Sequence, residues 1–435
     1  MTHSPNSPRP FASPLRIDPS PMSVPTHPAC LARSARAAEL IARRQLVRAR
    51  TLAILEIVDS SDRLGQIHPD FSPIRWHWGH LIVYEAHWVL RVAGGLDPGR
   101  DEWNHAFDPR HTAKADRVHL PDETTLFDYA QQVDQRIADL LDRWSAGTVT
   151  SPLLENGYIL DLVREHECQH QEIMLMLIAL LPPNRKTRPA SWSEAPTILT
   201  PQDRFDWVEF PGGSFLQGDS SKSFAWDNER PAHEATVPCP FALARQPVSE
   251  SLYAAFLEDD GYQRPEFWSA EGWRWRDAAH VIGPARWLPP NSPSNPSLTW
   301  WVRDLFEDRP LRPDRPVVGL SKHEAEAFAR WAGVRLPTES EWEGAARRTD
   351  LRSNQPGLEA LGAVWEWTAS PFAPYPGFQP YPYEGYSQAW FDHRHFVLRG
   401  GSWATHPDLL RPSFRNWYQP EVRQALSGLR PARLD

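Results

Sequence analysis

Apolar side chains recur at helical spacing through most of the first 180 residues, and in short interrupted runs through the rest of the chain. Residues 32–58 are rich in Ala, Leu and Arg and contain neither Gly nor Pro, so this segment is predicted to be a helix. Three more helices are predicted, over residues 74–93, from Asp122 or Thr124 to residue 144, and over residues 157–181. Four helices of this length predict a four-helix bundle over residues 31–181.

The pattern changes after residue 181. Residues 182–204 are polar and Pro-rich, which is typical of a linker. In residues 205–435, short apolar runs alternate with Gly, Pro, Asn and Asp, which indicates short strands and long loops. One helix is expected in this half, over residues 321–332, with Ser321 as its cap. The chain is therefore predicted to be an α+β protein with a helical bundle followed by a loop-rich domain.

Composition narrows the classes of function. The 46 Lys and Arg against 55 Asp and Glu give a net charge of −9, which argues against a general nucleic-acid binder. No apolar run approaches the roughly 18 residues of a membrane span. Three cysteines offer no disulfide framework, so we expect a reducing, cytoplasmic setting. Residues 1–30 are rich in Pro and Ser and lack the apolar core of a secretion signal, so we expect a disordered tail.

Histidines mark the candidate chemistry. His166 and His170 are four residues apart, so both rings project from one helix face and can share a metal ion. The helix over residues 74–93 carries His77, His80 and His87, and spacing alone leaves His80 and His87 equal as a third ligand. Three imidazoles suit iron, zinc or copper, and three protein ligands leave positions open, as in catalytic sites.

Two neighbours of the pair are not expected to bind the metal. Glu172 lies about 200° around the helix from His170, so it is predicted to lie behind the ligands or on the surface. Cys168 faces away from both histidines and is predicted to pack in the core. The simpler alternative is that His166 and His170 are an ordinary surface pair.

Motifs in both halves resemble one known architecture. The segments WHWGHLIVYE and HECQHQE resemble the DinB-like bundle of the sulfoxide synthases of ergothioneine biosynthesis. The segments VEFPGGSFLQGD, RLPTESEWEGAAR, VLRGGSW and SFRNW resemble the formylglycine-generating-enzyme-type domain, a C-type-lectin-like fold. No Cys follows Cys239, so the paired copper-binding cysteines of a true formylglycine-generating enzyme are missing and sulfatase activation is not expected.

The resemblance implies a mononuclear non-haem iron(II) enzyme whose ligands are His80, His166 and His170. The resemblance thus selects His80 rather than His87 as the third ligand. Its substrates would be hercynine (the trimethylated betaine of histidine), a sulfur or selenium donor, and dioxygen. The product would carry a C–S or C–Se bond at the imidazole carbon between the two nitrogens.

The resemblance also implies roles for individual side chains. In the segment YPYEGYS, Tyr383 matches the catalytic tyrosine, a proton donor in the dioxygen chemistry. Tyr386 and Gln169 match residues that bind hercynine. Asn416 and Trp417 match contacts to its betaine end, where an aromatic face attracts a quaternary ammonium group.

The donor site departs from the ergothioneine branch, in which two Arg, and an Asp with a further Arg, hold γ-glutamylcysteine. Here Arg110 is kept, but Ala113, Tyr418 and Val422 replace the other three charged residues. An amino-acid donor would lose its partners, whereas Tyr418 and its apolar neighbours suit a neutral, sugar-like donor better. This pattern resembles the selenoneine synthases, which join a selenosugar to hercynine, and that is our first expectation.

Three alternatives stay open. An ergothioneine sulfoxide synthase would use γ-glutamylcysteine or cysteine as its donor. Another DinB-type enzyme, such as a metal-dependent thiol transferase, would not require dioxygen. A lectin-like binding protein without enzymatic activity would hold zinc as a structural metal.

Overall fold

The computed structural model describes residues 28–193, 197–348 and 357–434. Most of the predicted disordered tail, residues 1–27, therefore lies outside the described residues. The first helix begins at Pro28, four residues before the start predicted from its composition. Proline fits the first turn of a helix, where its missing N–H would have no partner anyway.

Four long helices form the first half of the molecule, as predicted. Asp122 caps one of them by accepting a hydrogen bond from the Thr125 N–H, which selects it over Thr124. The second long helix differs from expectation because its last two turns are π-helical. The helices are α1 (Pro28–Leu55), α2 (Ser60–Leu64), α3 (Ile74–Glu85, continued by the π-helix Ala86–Ala93), α4 (Glu102–Ala106), α5 (Glu123–Ser145) and α6 (Tyr158–Leu180).

The bundle core combines apolar packing with buried ion pairs. Helix α1 packs on α5 and α6, and α3 packs on α6. Arg48 of α1 reaches Glu167 of α6 at 2.9 Å and Glu85 of α3 at 3.0 Å. Because all three charges are buried, each needs its partner, and the ion pairs fix α1 relative to the two helices that carry the histidines. Fully buried apolar residues of this core include Leu40, Ile54, Ile82, Leu126, Leu162 and Leu175.

The second half contains more helix than predicted. The predicted helix is present as Lys322–Trp331, with Ser321 as its cap, but the expectation of a single helix here is wrong. The additional helices have only 9 or 10 residues each, too short to show a strong apolar period. The helices of this half are α7 (Glu250–Glu258), α8 (Ala270–Ala278), α9 (Lys322–Trp331) and α10 (Glu339–Arg348).

The strands are short, as predicted. They form four small sheets among the described residues, in the orders β1-β4-β12, β2-β3, β5-β6-β7 and β10-β9-β8-β11. The strands are β1 (Trp207–Phe210), β2 (Gly213–Gln217), β3 (His233–Val237), β4 (Phe241–Ala244), β5 (Trp287–Leu288), β6 (Trp301–Arg303), β7 (Asp308–Pro310), β8 (Trp365–Pro371), β9 (Phe396–Arg399), β10 (Asn416–Tyr418), β11 (Ser427–Gly428) and β12 (Ala432–Leu434).

The fold positions the candidate site where the two halves meet. Strand β10, which carries Asn416 and Trp417, is an edge strand paired antiparallel with β9. Helix α6 contacts the short turn at Pro407–Leu409 of the second half. Within the described residues, no helix combines the length and apolar character needed to cross a membrane.

Candidate metal centre and active site

Three histidines from two facing helices converge. His80 of α3 and the pair His166 and His170 of α6 place their ligand nitrogens within 4.8 Å of one another. The ring centroids lie 5.1 Å apart for His80 and His166, and 4.5 Å apart for the pair on α6. His80 and His166 are buried and His170 is half-buried, so the simple surface-pair alternative is wrong.

Neighbouring groups fix the orientation of two of these rings. The Nδ1 atom of His80 lies 2.7 Å from the Phe107 carbonyl oxygen and donates to it, which leaves the Nε2 lone pair for a metal. The Nδ1 atoms of His170 and His77 are 2.8 Å apart, so they share a hydrogen bond. Phe107 also requires Gly79, because a Cβ there would lie 2.2 Å from its ring. Sequence reasoning missed this role of Phe107, which is 27 residues from His80.

The histidines are neutral, as metal ligands must be. Burial lowers the pKa of His80 to about 4, and it lowers the pKa values of His166 and His170 well below the usual range. The buried Nδ1 of His166 has no hydrogen-bond partner among the described residues. Three neutral imidazoles with one ring nitrogen unsatisfied fit a borderline divalent ion such as iron(II). Cys168 is buried, and burial raises the pKa of its thiol, which fits the predicted packing role.

Two nearby residues lie outside the metal cluster. His80, and not His87, lies with the pair on α6. The half-buried ring of His87 instead packs at a right angle against Trp88. Glu172 is buried, so the surface alternative for it is wrong. Its carboxylate accepts hydrogen bonds from Trp365 Nε1 at 2.6 Å, Ser402 Oγ at 2.5 Å and Thr405 Oγ1 at 2.7 Å, all in the second half.

A pair of tyrosines extends from the histidine cluster. The Tyr84 ring stacks on His166 with a centroid distance of 3.9 Å, and its hydroxyl lies 2.9 Å from that of Tyr383. Burial raises the pKa of Tyr383 to about 12 and that of Tyr84 well above its usual value, so both keep their protons near neutral pH. Tyr84 was not predicted, although its position one helical turn after His80 was a usable signal.

Tyr386 and Gln169 are in direct contact. The Tyr386 hydroxyl donates to Gln169 Oε1 at 3.0 Å, and its ring stacks on Trp226 at 3.8 Å. The buried Nε2 of Gln169 has no partner among the described residues, so this amide can donate to a ligand. Gln169 directly precedes His170 in α6, so its side chain leaves the helix about 100° around from that of His170.

An aromatic wall continues from Tyr386 to β10. The Trp417 ring meets that of Tyr386 edge to face at 5.6 Å, and it stacks on Phe372 at 4.2 Å. Asn416 uses its Oδ1 to accept from the Trp417 N–H. The described contacts thus connect four predicted substrate residues in one continuous chain, from Gln169 through Tyr386 and Trp417 to Asn416.

The predicted donor residues lie at two different places. Arg110 is exposed and forms an ion pair with Asp108 at 2.6 Å, while its charge acts on the nearby Tyr383. Tyr418 is the last residue of β10; burial raises its pKa, and Glu172 raises it further. The described contacts do not join Arg110 directly to Tyr418.

Comparisons with known proteins match both halves. The DinB superfamily model matches residues 30–174, and the sulfatase-modifying factor enzyme 1-like domain matches residues 199–359 and 349–434. The chain is 35% identical to a hercynine oxygenase of Mycolicibacterium smegmatis, over 89% of this chain and 96% of that one. It is also 35% identical to one of Mycobacterium tuberculosis, over 88% and 96%. A shorter match, 47% over 79 residues, is to ergothioneine biosynthesis protein 1 of Neurospora crassa, covering 18% of this chain and 9% of that one.

Proposed function

This chain belongs to the hercynine oxygenase family, and on that premise we propose that it is an iron(II)-dependent enzyme that uses dioxygen to bond sulfur or selenium to hercynine. The observation that carries the proposal is the convergence of three neutral histidines, within 4.8 Å, beside a protonated tyrosine pair. In this proposal His80, His166 and His170 hold the iron. Bound there, iron(II) would supply the activation of dioxygen and of the chalcogen donor.

Gln169 and Tyr386 would hold the imidazole of hercynine. The free Nε2–H of Gln169 donates to a ring nitrogen, while the Tyr386 hydroxyl fixes the amide by its hydrogen bond to Oε1. Trp417 and Asn416 would hold the betaine end. A cation over an aromatic face gains about 0.5–2 kcal/mol, and the trimethylammonium group keeps its charge at every pH.

Tyr383 would be the acid. Its hydroxyl keeps a proton at neutral pH, because burial raises its pKa to about 12, and Tyr84 holds that hydroxyl in position at 2.9 Å. Tyr84 in turn is held by its stacking on His166. A proton positioned in this way can be given to a substrate group that gains negative charge during reaction.

We propose a selenosugar as the donor. Ala113 and Val422 carry no charge, and Arg110 is already paired with Asp108. The carboxylates and the ammonium group of γ-glutamylcysteine would therefore lack partners, at a cost of about 1–3 kcal/mol for each group. A neutral sugar carries no such charge, and the Tyr418 hydroxyl can exchange hydrogen bonds with sugar hydroxyls.

The second candidate is a sulfur donor, γ-glutamylcysteine or cysteine. The match to ergothioneine biosynthesis protein 1 favours it. The two candidates share the metal site and the hercynine site, and they differ only in the second substrate.

A competition assay separates them. Protein loaded with iron(II) under anaerobic conditions receives hercynine and equal amounts of selenosugar, γ-glutamylcysteine and cysteine. Air is then admitted, and mass spectrometry identifies the products. We expect the selenium product to dominate. If only γ-glutamylcysteine is consumed, the selenium proposal is wrong and the hercynine proposal stands; if hercynine stays intact, both are wrong.

A matched variant tests the charge argument. The double substitution Tyr418→Asp and Val422→Arg restores charges at two of the altered positions. We expect it to raise the consumption of γ-glutamylcysteine by about 10-fold or more relative to the selenosugar. An unchanged ratio would show that these positions do not select the donor.

A further inference from the structure

A small arginine-lined cavity lies in the second half, away from the histidine cluster. Its volume is about 30 Å³. It is lined by residues of β6, β7 and the start of α7, and Ala363 and Trp403 also contribute to its wall. The charged residues that line it are Glu250, Arg286, Arg303, Asp304, Arg309 and Arg315.

The carboxylates of this cavity are already engaged. Arg309 binds Glu250 at 2.9 Å through Nη2 and Asp304 at 2.9 Å through Nε. Glu250 also accepts from the backbone N–H of Arg312 at 2.8 Å. Arg303 pairs with Asp308, at 3.0 Å. Arg309 thus pairs with both carboxylates that line the cavity, whereas Arg303 pairs with Asp308, which does not line it.

Two guanidinium groups are left over. Arg286 is only 5% exposed, and its Nε and Nη2 atoms are buried without a hydrogen-bond partner among the described residues. The Nε and Nη1 atoms of Arg315 are in the same state. A buried cation without an acceptor is costly, because burial removes the hydrogen bonds of its hydration and no described acceptor replaces them.

The excess of positive charge also acts on a nearby lysine. Lys186, from the segment after α6, approaches the Asp304 carbonyl oxygen at 3.5 Å. Burial, with further contributions from Arg286 and Arg303, lowers the pKa of Lys186 to about 7. Four arginines therefore face three carboxylates here, and one monovalent anion would balance the excess.

We propose that this cavity binds one halide-sized inorganic anion, chloride under ordinary conditions, between Arg286 and Arg315. The volume selects the size, since about 30 Å³ holds a single small ion, whereas sulfate or phosphate would have to place four oxygens there. Water can accept hydrogen bonds from the two guanidinium groups, but it does not neutralise their charge.

The position of the site links it to the contact between the two halves. Arg303, on the cavity wall, donates to the carbonyl of Leu180, the last residue of α6, at 3.5 Å. Trp403 follows Ser402, whose hydroxyl binds Glu172 of α6. An anion in the cavity would therefore stabilise the folded chain and the contact between its halves.

The test uses the full chain and two measurements. Thermal unfolding is followed as sodium bromide replaces sodium gluconate at constant ionic strength, and crystals grown in bromide are examined for anomalous scattering. We expect a saturable rise in Tm with bromide, because an ion that binds only the folded state stabilises it. We also expect a bromide peak within hydrogen-bond distance of Arg286 and Arg315.

Substitutions make the test specific. Arg286→Met should weaken bromide binding by about 10-fold or more, whereas Arg274→Met, at an exposed arginine, should leave it unchanged. If Arg286→Met does not fold, Arg315→Gln carries the same expectation at a half-buried position.

Equal Tm values in bromide and gluconate, or an empty cavity in the bromide crystals, would overturn the proposal. So would a bromide response that survives both Arg286→Met and Arg315→Gln. Neither measurement uses iron or hercynine, so failure here would leave the proposed function untouched.

Discussion

His80 is held in one orientation by three neighbours. The Phe107 carbonyl accepts its Nδ1–H at 2.7 Å, and the Trp76 ring stacks parallel to it at 4.8 Å. Gly79, the residue before it, leaves the space that Phe107 occupies. A ring fixed in this way presents Nε2 toward the α6 pair without losing further conformational freedom on metal binding.

Replacing His80 by Ala should abolish tight metal binding. Two ligands remain, and we expect iron(II) affinity to fall by more than about 100-fold, beyond the usual effect of losing a group that only orients a ligand. His87→Ala is the matched control on the same helix and should bind iron as the wild type does. Metal content after dialysis and titration with iron(II) measure both. Retention of iron by His80→Ala and its loss by His87→Ala would overturn the ligand assignment.

Tyr383→Phe should separate binding from chemistry. The substitution removes one hydroxyl and its hydrogen bond to Tyr84, but it leaves the metal ligands and the aromatic wall in place. We expect hercynine binding to stay within about 3-fold and kcat to fall by about 100-fold or more, as for loss of a general acid. Tyr381→Phe, two residues earlier and 46% exposed, is the control and should retain activity. Equal kcat values for both variants would remove Tyr383 from the mechanism.

Helix α6 joins the histidine cluster to the second half. One face carries His166 and His170, while Gln169 and Glu172 on other faces contact Tyr386, Trp365 and the residues 402–405. The spacing of the histidines in the sequence predicted that the rings of His166 and His170 lie together, as they do in the structure. The role of Glu172 was invisible there, because its three donors lie 193 to 233 residues away in the chain.

Glu172→Ala should destabilise the whole chain. The Trp365 indole N–H and the hydroxyls of Ser402 and Thr405 would lose a buried acceptor, and each unsatisfied group costs about 1–3 kcal/mol. We expect the free energy of unfolding in urea to fall by about 3 kcal/mol or more. Glu421→Ala, at an exposed glutamate, should change it by less than about 0.5 kcal/mol. A small effect at Glu172 would mean that water replaces the carboxylate.

Local signals explain which elements could be predicted. The four bundle helices and the caps at Asp122 and Ser321 follow from spacing and residue type within a few positions. Helices α7, α8 and α10 lacked a long apolar period, and the π-helical end of α3 has no sequence signal that we recognise. The partners of His80 and Tyr383 come from tertiary packing, which a pattern along the chain does not report.

At the scale of the whole molecule, neither half contains the complete site. The histidines and Gln169 come from the bundle, whereas Tyr383, Tyr386 and Trp417 come from the second half. Arg411 ties the halves together, binding Glu165 of α6 at 2.9 Å and also binding Glu229 of the second half. The candidate active site therefore depends on the contact between the halves, and charge pairing helps to maintain that contact.

Arg411→Met should loosen this contact in a pH-dependent way. It removes the guanidinium group that binds two buried carboxylates, and we expect a loss of about 3–5 kcal/mol in the free energy of unfolding at pH 8. Burial raises the pKa of Glu165 to about 7 even beside Arg411. Because the pKa of Glu165 is higher in the folded than in the unfolded chain, its protonation favours the folded state. This contribution to stability is complete at pH values below the unfolded-state pKa, and it is lost as the pH rises through the folded-state pKa.

The decrease in the free energy of unfolding caused by Arg411→Met should thus be smaller at pH 5 than at pH 8. Urea unfolding at both pH values measures it, with Arg274→Met as the control. A loss that does not depend on pH would contradict the role given to the two carboxylates.

The most direct measurement is dioxygen uptake by the iron(II)-loaded protein in an oxygen electrode. We expect rapid uptake only when iron(II), hercynine and a selenium or sulfur donor are all present, with hercynine consumed in step with dioxygen. Protein loaded with zinc(II), and the His166→Ala variant, should show none. Uptake that does not depend on hercynine, or no uptake with any donor while iron is bound, would contradict the proposed function.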